Sequence, residues 1–198
     1  VDVVSSALDF ILPFEKYKIT AGAKVSFTNT RNGINYDTSD PTLVQDDYFR
    51  YKEQIYALYA DYSREYSERF SMQLGLRMEH TRTTGISEAK DTEDKHDYTR
   101  LFPTVYLLYS PTDGHALNFS FSNRISRPSQ NMVNPFPFYQ NKYTYACGRE
   151  DLKPSYTYNA ELGYTLKNNF NVSAYYSYSD DVFFQVVDLD AETNVTSF

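Results

Sequence analysis

The chain has 198 residues, with 19 Lys plus Arg against 26 Asp plus Glu and a net charge of −7. That length holds one ordinary domain or a piece of a larger one, and the acidic balance excludes a nucleic-acid binder, which needs a basic face. One cysteine, Cys147, allows no internal disulfide and is read as an idle thiol.

Aromatic residues reach 17%, with 20 Tyr, 14 Phe and no Trp. Such a composition suits pleated surfaces whose rings meet water at one end. No apolar run approaches the ~18 residues of a membrane helix. The mean hydropathy of −0.59 does not register a membrane barrel, which hides its apolar residues in alternation.

Alternation begins weakly over residues 2–12 and then becomes clear. Ile19, Ala21, Ala23, Val25 and Phe27 share one parity against Lys18, Thr20, Gly22, Lys24 and Ser26. Tyr56, Leu58, Ala60 and Tyr62 repeat it, and Met72, Leu74, Leu76 and Met78 oppose Gln73, Gly75, Arg77 and Glu79. Val105, Leu107 and Tyr109 follow less cleanly, because Tyr106 and Leu108 intervene. Leu117, Phe119 and Phe121 face away from Asn118, Ser120 and Ser122. Tyr158, Ala160, Leu162 and Tyr164 oppose Asn159, Glu161, Gly163 and Thr165, and Phe170, Val172, Ala174, Tyr176 and Tyr178 close the series. Eight strands of mostly about 10–14 residues are predicted, and no helical period competes. Soluble strands cluster near ~5–6 residues, whereas a tilted spanning strand needs about 9–11.

The connections are Pro13–Lys16, Arg31–Tyr48, Ser63–Glu68, Thr83–Asp97, Pro111–His115, Ser126–Pro154 and Lys167–Asn169. Short and long alternate, as in an up-and-down barrel with short periplasmic turns and long external loops. The predicted fold class is therefore all-β, an antiparallel up-and-down transmembrane β-barrel. Residues 149–166 would descend from outside, with Pro154 at the point where loop becomes wall. Their apolar parity would face lipid, and Asn159, Glu161 and Thr165 the lumen.

Candidate sites divide by chemistry. His80, His96 and His115 are assigned to a strand's outer end, a long loop and the opposite end, so no catalytic cluster is expected. Glu88, Asp91, Glu93, Asp94 and His96 are dense enough for a hard cation, but their spacing does not fit an EF-hand. A solvated loop, with no metal, is expected. The stretch "NPFPFYQNKYTY" is richer: Phe136, Phe138, Tyr139, Tyr143 and Tyr145 lie between Arg127 and Arg149. Rings with arginine forks at a pore mouth suit a peptide, glycan or siderophore, while rings packing the loop on itself remain the alternative. The sequons at Asn118, Asn171 and Asn194 carry no weight, the first two being within strands.

"FSFSNRISRPSQNMVNPF" at 119–136 and "YTYACGREDLKPSYTYNAELGY" at 143–164 resemble the barrel of TonB-dependent outer-membrane receptors. The likeness is strongest to the outer-membrane β-barrel family common in Bacteroidetes. "LGLRMEHT" at 74–81 and "LFPTVYLLYS" at 101–110 share it. Ser126–Ser129 match a phrase that rises into an external loop, and Leu152, Lys153 and Pro154 one that opens the next strand. Ser155 stands where the family has an acid, and Arg149-Glu150 where it has Asn-Pro. The resemblance implies about 22 strands around a plug, so residues 1–198 are expected to be a partial barrel domain lacking plug and remaining strands. "ETNVTSF" lacks the alternation of a closing strand. The implied function is uptake of a bulky nutrient across the outer membrane, without enzymatic chemistry or cofactor. The partners would be membrane lipid, a ligand at the external loops, and plug and TonB through parts outside this chain. A small closed eight-stranded barrel with an adhesive or structural role, and a soluble β-sandwich binding module, are the competing readings.

Overall fold

The computed structural model describes residues 1–34, 47–87, 91–141, 143–149, 151–167, 169–190 and 195–197. Eight strands form one antiparallel sheet in the order β1-β2-β3-β4-β5-β6-β9-β10. They are β1 Asp2–Pro13, β2 Tyr17–Ile34, β3 Asp47–Ser67, β4 Phe70–Ser87, β5 Thr92–Tyr109, β6 His115–Ser126, β9 Ser155–Leu166 and β10 Phe170–Asp180. Between β6 and β9 lie a short helix α1 (Gln130–Val133) and two small strands, β7 (Phe138–Asn141) and β8 (Thr144–Ala146). After β10, β11 (Asp188–Asp190) and β12 (Val195–Ser197) join β8 and β7 in a second, four-stranded sheet.

The large sheet is open, with β1 and β10 at its ends. The eight predicted strands are all present, and Pro154 does precede the first residue of β9. A closed eight-stranded barrel is not formed.

Three expectations are corrected. The central strands are longer than 10–14 residues: β2, β4 and β5 have 18 each and β3 has 21. The connection assigned to Thr83–Asp97 is mostly strand, because β4 continues to Ser87 and β5 begins at Thr92. His96 accordingly sits in a strand rather than a loop. Alternation marks a strand only where one face is apolar. Where neither face is uniformly apolar, as in Asp47–Glu53 and Thr92–Arg100, the backbone ladder continues without that signal. The connection Ser63–Glu68 shortens for the same reason, β3 running to Ser67 and β4 starting at Phe70. Most of the Arg31–Tyr48 connection, with Glu88, Asn168 and Asn194, lies outside the described residues.

Register fixes the two faces. Val25 pairs with Tyr56, Tyr56 with His80, and Leu58 with Met78, which pairs with Leu101. Phe121 pairs with Ala160, and Ala160 with Tyr176. The apolar parities of neighbouring strands therefore share one face, and that face is open: Leu58, Leu76, Leu101 and Leu162 are 50–56% exposed. The buried groups Thr30, Phe49, Ala57, Glu79, Thr81, Thr83, Ser87 and Phe102 lie on the other. The chain has turned its greasy side outward and its polar side inward, the reverse of a soluble sheet.

Aromatic rings bound the apolar band. Below it, at the short-turn end, Phe14 stacks on Tyr17 at 4.5 Å, Tyr17 meets Tyr62 at 5.8 Å, and Phe70 meets Tyr109 at 6.4 Å. Above it, Phe27 meets Tyr56 edge-on at 5.9 Å, and Tyr56 meets His80 at 6.3 Å. Such paired girdles mark the two interfaces of a bilayer. The inner wall is braced by polar contacts instead. The Tyr59 hydroxyl donates to the Asp9 carboxylate, and its ring lies flat over Gly22, where a Cβ would come within 2.5 Å of Tyr59 Cζ. Glycine at 22 is what lets a ring from β3 reach across β2 to β1.

Two outcomes follow. Leu76→Arg, on the outer face near mid-band, should destabilise the lipid-folded barrel by about 2–4 kcal/mol, and Gln73→Arg on the inner face by less than about 1. Urea titration in lipid vesicles measures both; equal costs would refute the assignment of faces. Separately, the 198-residue chain kept in water without lipid should self-associate through its open edges and apolar face. A monodisperse monomer in light scattering would contradict that.

Candidate functional site

The upper ends of β3, β4 and β5 form a polar inner wall, and the connection from β6 to β9 folds over it. The departure point is a seam in the sheet. β5 pairs with β6 only from Thr104 to Tyr109, whereas β6 pairs with β9 from His115 to Ser126. Above Thr104, β6 leaves β5. Side chains fill the breach: Asn123 donates from Nδ2 to the Leu101 carbonyl at 3.5 Å. Tyr156 stacks on Phe102 at 6.5 Å, with the Arg100 guanidinium 4.7 Å from the Tyr156 ring.

Arg127, one residue past β6, then enters the inner wall. Its Nη2 donates to Glu79 Oε1 and, at 3.1 Å, to Thr81 Oγ1, while Nε faces Glu53 Oε2 at 3.6 Å. Glu79 is only 5% exposed and also receives Arg77 through Nε at 2.9 Å and Nη2 at 2.7 Å. Two guanidinium groups thus enclose one buried carboxylate, an arrangement that compensates its lost hydration.

Past this anchor, the connection builds a small core. Val133, Asn134, Pro135 and Phe136 are buried, and Asn134 Oδ1 accepts from the Phe136 amide at 3.1 Å. Gly148 N donates to Asn134 O at 2.8 Å and Arg149 N to Met132 O at 2.7 Å. A Cβ on residue 148 would lie 2.5 Å from the Met132 carbonyl oxygen, so only glycine permits this closure. The re-entry into β9 is secured by Ser155, whose hydroxyl donates to the Asp180 carbonyl at 2.9 Å. The residue that departs from the family phrase has its own local role.

Beneath the folded connection lies a cavity of about 360 Å³. Phe49, Tyr51, Tyr98 and Tyr156 supply ring surfaces, Asp94, Arg100, Arg127 and Lys153 supply charge, and His96 adds an imidazole. Ring walls with a few placed charges suit a small polar ligand or one end of a larger one.

The predicted site residues divide between two places. Arg127 is committed to the inner wall and lines the cavity. Tyr139 and Tyr145 pack on each other at 5.4 Å across β7 and β8. Phe138 and Tyr143 are 54% and 62% exposed. Arg149 is exposed and bonds Asp151 through two contacts of 3.0 and 2.8 Å. Those hydrogen bonds hold the Asp151 carboxyl below its ordinary range, so the pair persists at neutral pH and breaks only in acid. The acidic run is paired as well: Glu93 with Lys95 at 2.9 Å, Asp94 with His96 at 2.8 Å, and Asp97 with Arg82 at 2.8 Å. Glu88 lies outside the described residues, and among the described ones no His, Cys, Asp and Glu group suits a metal. Sequence reasoning missed Glu53, Glu79 and Thr81. Glu79 and Thr81 did carry a signal, as polar residues on the inward parity of "LGLRMEHT"; Glu53, in the upper part of β3, did not.

The family model for outer membrane protein beta-barrels matches residues 1–198. The chain belongs to that family. Its place is the bacterial outer membrane, so the open apolar face of the sheet is the lipid face. Solved structures give the same fold. The copper transporter OprC aligns with TM-score 0.68 at 13% identity, over 98% of this chain and 32% of that one. The ferric yersiniabactin uptake receptor FyuA from Yersinia pestis gives 0.57 at 16%, over 91% and 28%. The ferric citrate transporter FecA in its unliganded form gives 0.52 at 13%, over 84% and 25%. This barrel chain therefore spans a quarter to a third of the length of those structures. No curated protein matches it by sequence.

Arg127→Ala should leave the barrel strands folded but release the connection from the inner wall. Removing one partner of a buried ion pair costs roughly 3 kcal/mol, and residues 127–154 should be cut far faster by added protease. Unchanged cleavage would mean that Val133 and Phe136 hold the connection without the arginine.

Proposed function

We propose that this chain forms part of the wall and outer mouth of a TonB-dependent receptor that takes up a bulky nutrient of the siderophore, glycan or peptide class. The observation that carries the reading is the connection 127–154. It is anchored by Arg127 on the lumen wall, covers a ring-lined cavity, and leaves Phe138 and Tyr143 exposed. A purely structural barrel has no need of a polar lumen wall with a folded gate of this kind. The likeness in fold to a copper transporter, a yersiniabactin receptor and a citrate transporter supports it.

Roles follow from position. Phe138, Tyr143 and Arg149 would meet the ligand first, by stacking and forked hydrogen bonds. Tyr139 and Tyr145 would hold the hairpin that presents them, and Arg127 would fix that hairpin to the wall. These roles are binding and positioning, and none of them makes or breaks a bond in the ligand. The plug, the energy coupling and the contact with TonB would belong to other parts of the protein.

In the full-length receptor, Phe138→Ala and Tyr143→Ala should each weaken ligand binding between about five- and thirtyfold while assembly is unchanged. Titration against ferric citrate, a ferric siderophore, an oligosaccharide series and a peptide series would identify the class. Uptake that continues in cells lacking TonB would sink the proposal.

A further inference from the structure

Above the upper girdle, the lipid face changes character. On β2 the outward parity runs Phe27, Asn29, Arg31, and on β3 it runs Tyr56, Gln54, Lys52, Arg50. Arg31 stands directly opposite Arg50, and Lys52 opposite Asn29. Like charges face to face across strands are destabilising, so this arrangement needs an anion from somewhere. The neighbouring outward cations have theirs within the chain, Arg82 on Asp97 and Lys95 on Glu93. Among the described residues, no ion pair involves Arg31, Arg50 or Lys52.

We infer that Arg31, Arg50 and Lys52 form a docking surface for the phosphate-bearing headgroups of the outer-leaflet lipid. Height supports this partner. Lys52 and Arg50 lie four and six residues beyond Tyr56, which at ~3.4 Å per residue and a tilt of 35–45° is about 10–17 Å above the girdle. Long basic side chains reach back toward the interface from that level. Arginine forks match phosphate oxygens two at a time, and lysine adds a point charge. The surface belongs to the outside of the wall, so the inference rests on membrane placement and is independent of what the lumen carries.

The test uses the full-length receptor in non-ionic detergent micelles, with lipid binding read by native mass spectrometry. The probes are bisphosphorylated lipid A, its dephosphorylated counterpart and inorganic phosphate. The variant is Arg31→Gln with Arg50→Gln and Lys52→Gln; Lys24→Gln on the lumen face is the control. At about fivefold per cation near an anionic surface, the triple variant should lose on the order of 100-fold in affinity for bisphosphorylated lipid A. The control should match wild type, and the dephosphorylated lipid should bind wild type as weakly as the variant binds the phosphorylated one. If the triple variant fails to assemble, Lys52→Gln alone must weaken binding about fivefold. Three results overturn the inference: unchanged binding by the variants, as when acids of residues 35–46 already neutralise the cations; equal affinity for the dephosphorylated lipid; or displacement of the lipid by micromolar inorganic phosphate, which marks a free-anion site.

Discussion

A strand shows successive side chains to opposite sides, and an unbroken ladder carries that choice from one strand to the next. From β1 to β10 the pairings keep every apolar parity in step, the one irregularity lying near the lower turn at Glu65 and Ser67. All else in this barrel depends on that lock. A slip of one residue anywhere would bring Leu74 or Leu76 into the lumen and expose Glu79 to lipid, the costliest exchange open to such a wall.

The same constraint concentrates chemistry at one end. The inner parity of β3, β4 and β5 delivers Glu53, Glu79, Thr81 and Tyr98 to neighbouring positions without any loop having to place them. Arg127 then converts that fixed array into an attachment point. The connection is held at its entrance by a buried ion network, at its middle by the Gly148 closure, and at its exit by Ser155. Rings displayed beyond those ties inherit their precision from the wall.

The faces of the sheet were legible in the sequence because lipid on one side and water on the other impose the sharpest alternation a strand can carry. Strand number, direction and the lipid parity of residues 158–164 could all be read from it. The upper extensions of β3, β4 and β5 could not. Asp47–Glu53 and Thr92–Arg100 mix charged residues with rings on the inward side and carry no apolar outer parity, so they look like loop. The aromatic stretch was visible as composition, but its division was not: Tyr139 and Tyr145 turn to each other while Phe138 and Tyr143 stay open. That division depends on how β7 and β8 pair, and on β12 lying beside β8, contacts between segments some fifty residues apart in the chain.

The parting of β5 from β6 has a mechanical meaning. Between the edge strands β1 and β10, the lower wall resists bending because each strand is hydrogen-bonded on both sides. From Thr92 to Pro103, β5 is bonded to β4 alone, so the tall β4–β5 hairpin is clamped along one edge and merely packed along the other. Leaning it outward would cost the Arg127 bonds to Glu79 and Thr81, the Tyr156 contacts with Phe102 and Arg100 and the amide bond from Asn123, and would spare the ladder. The seam is a line of compliance beside the cavity, placed where the mouth could widen while the membrane-embedded wall below stays rigid.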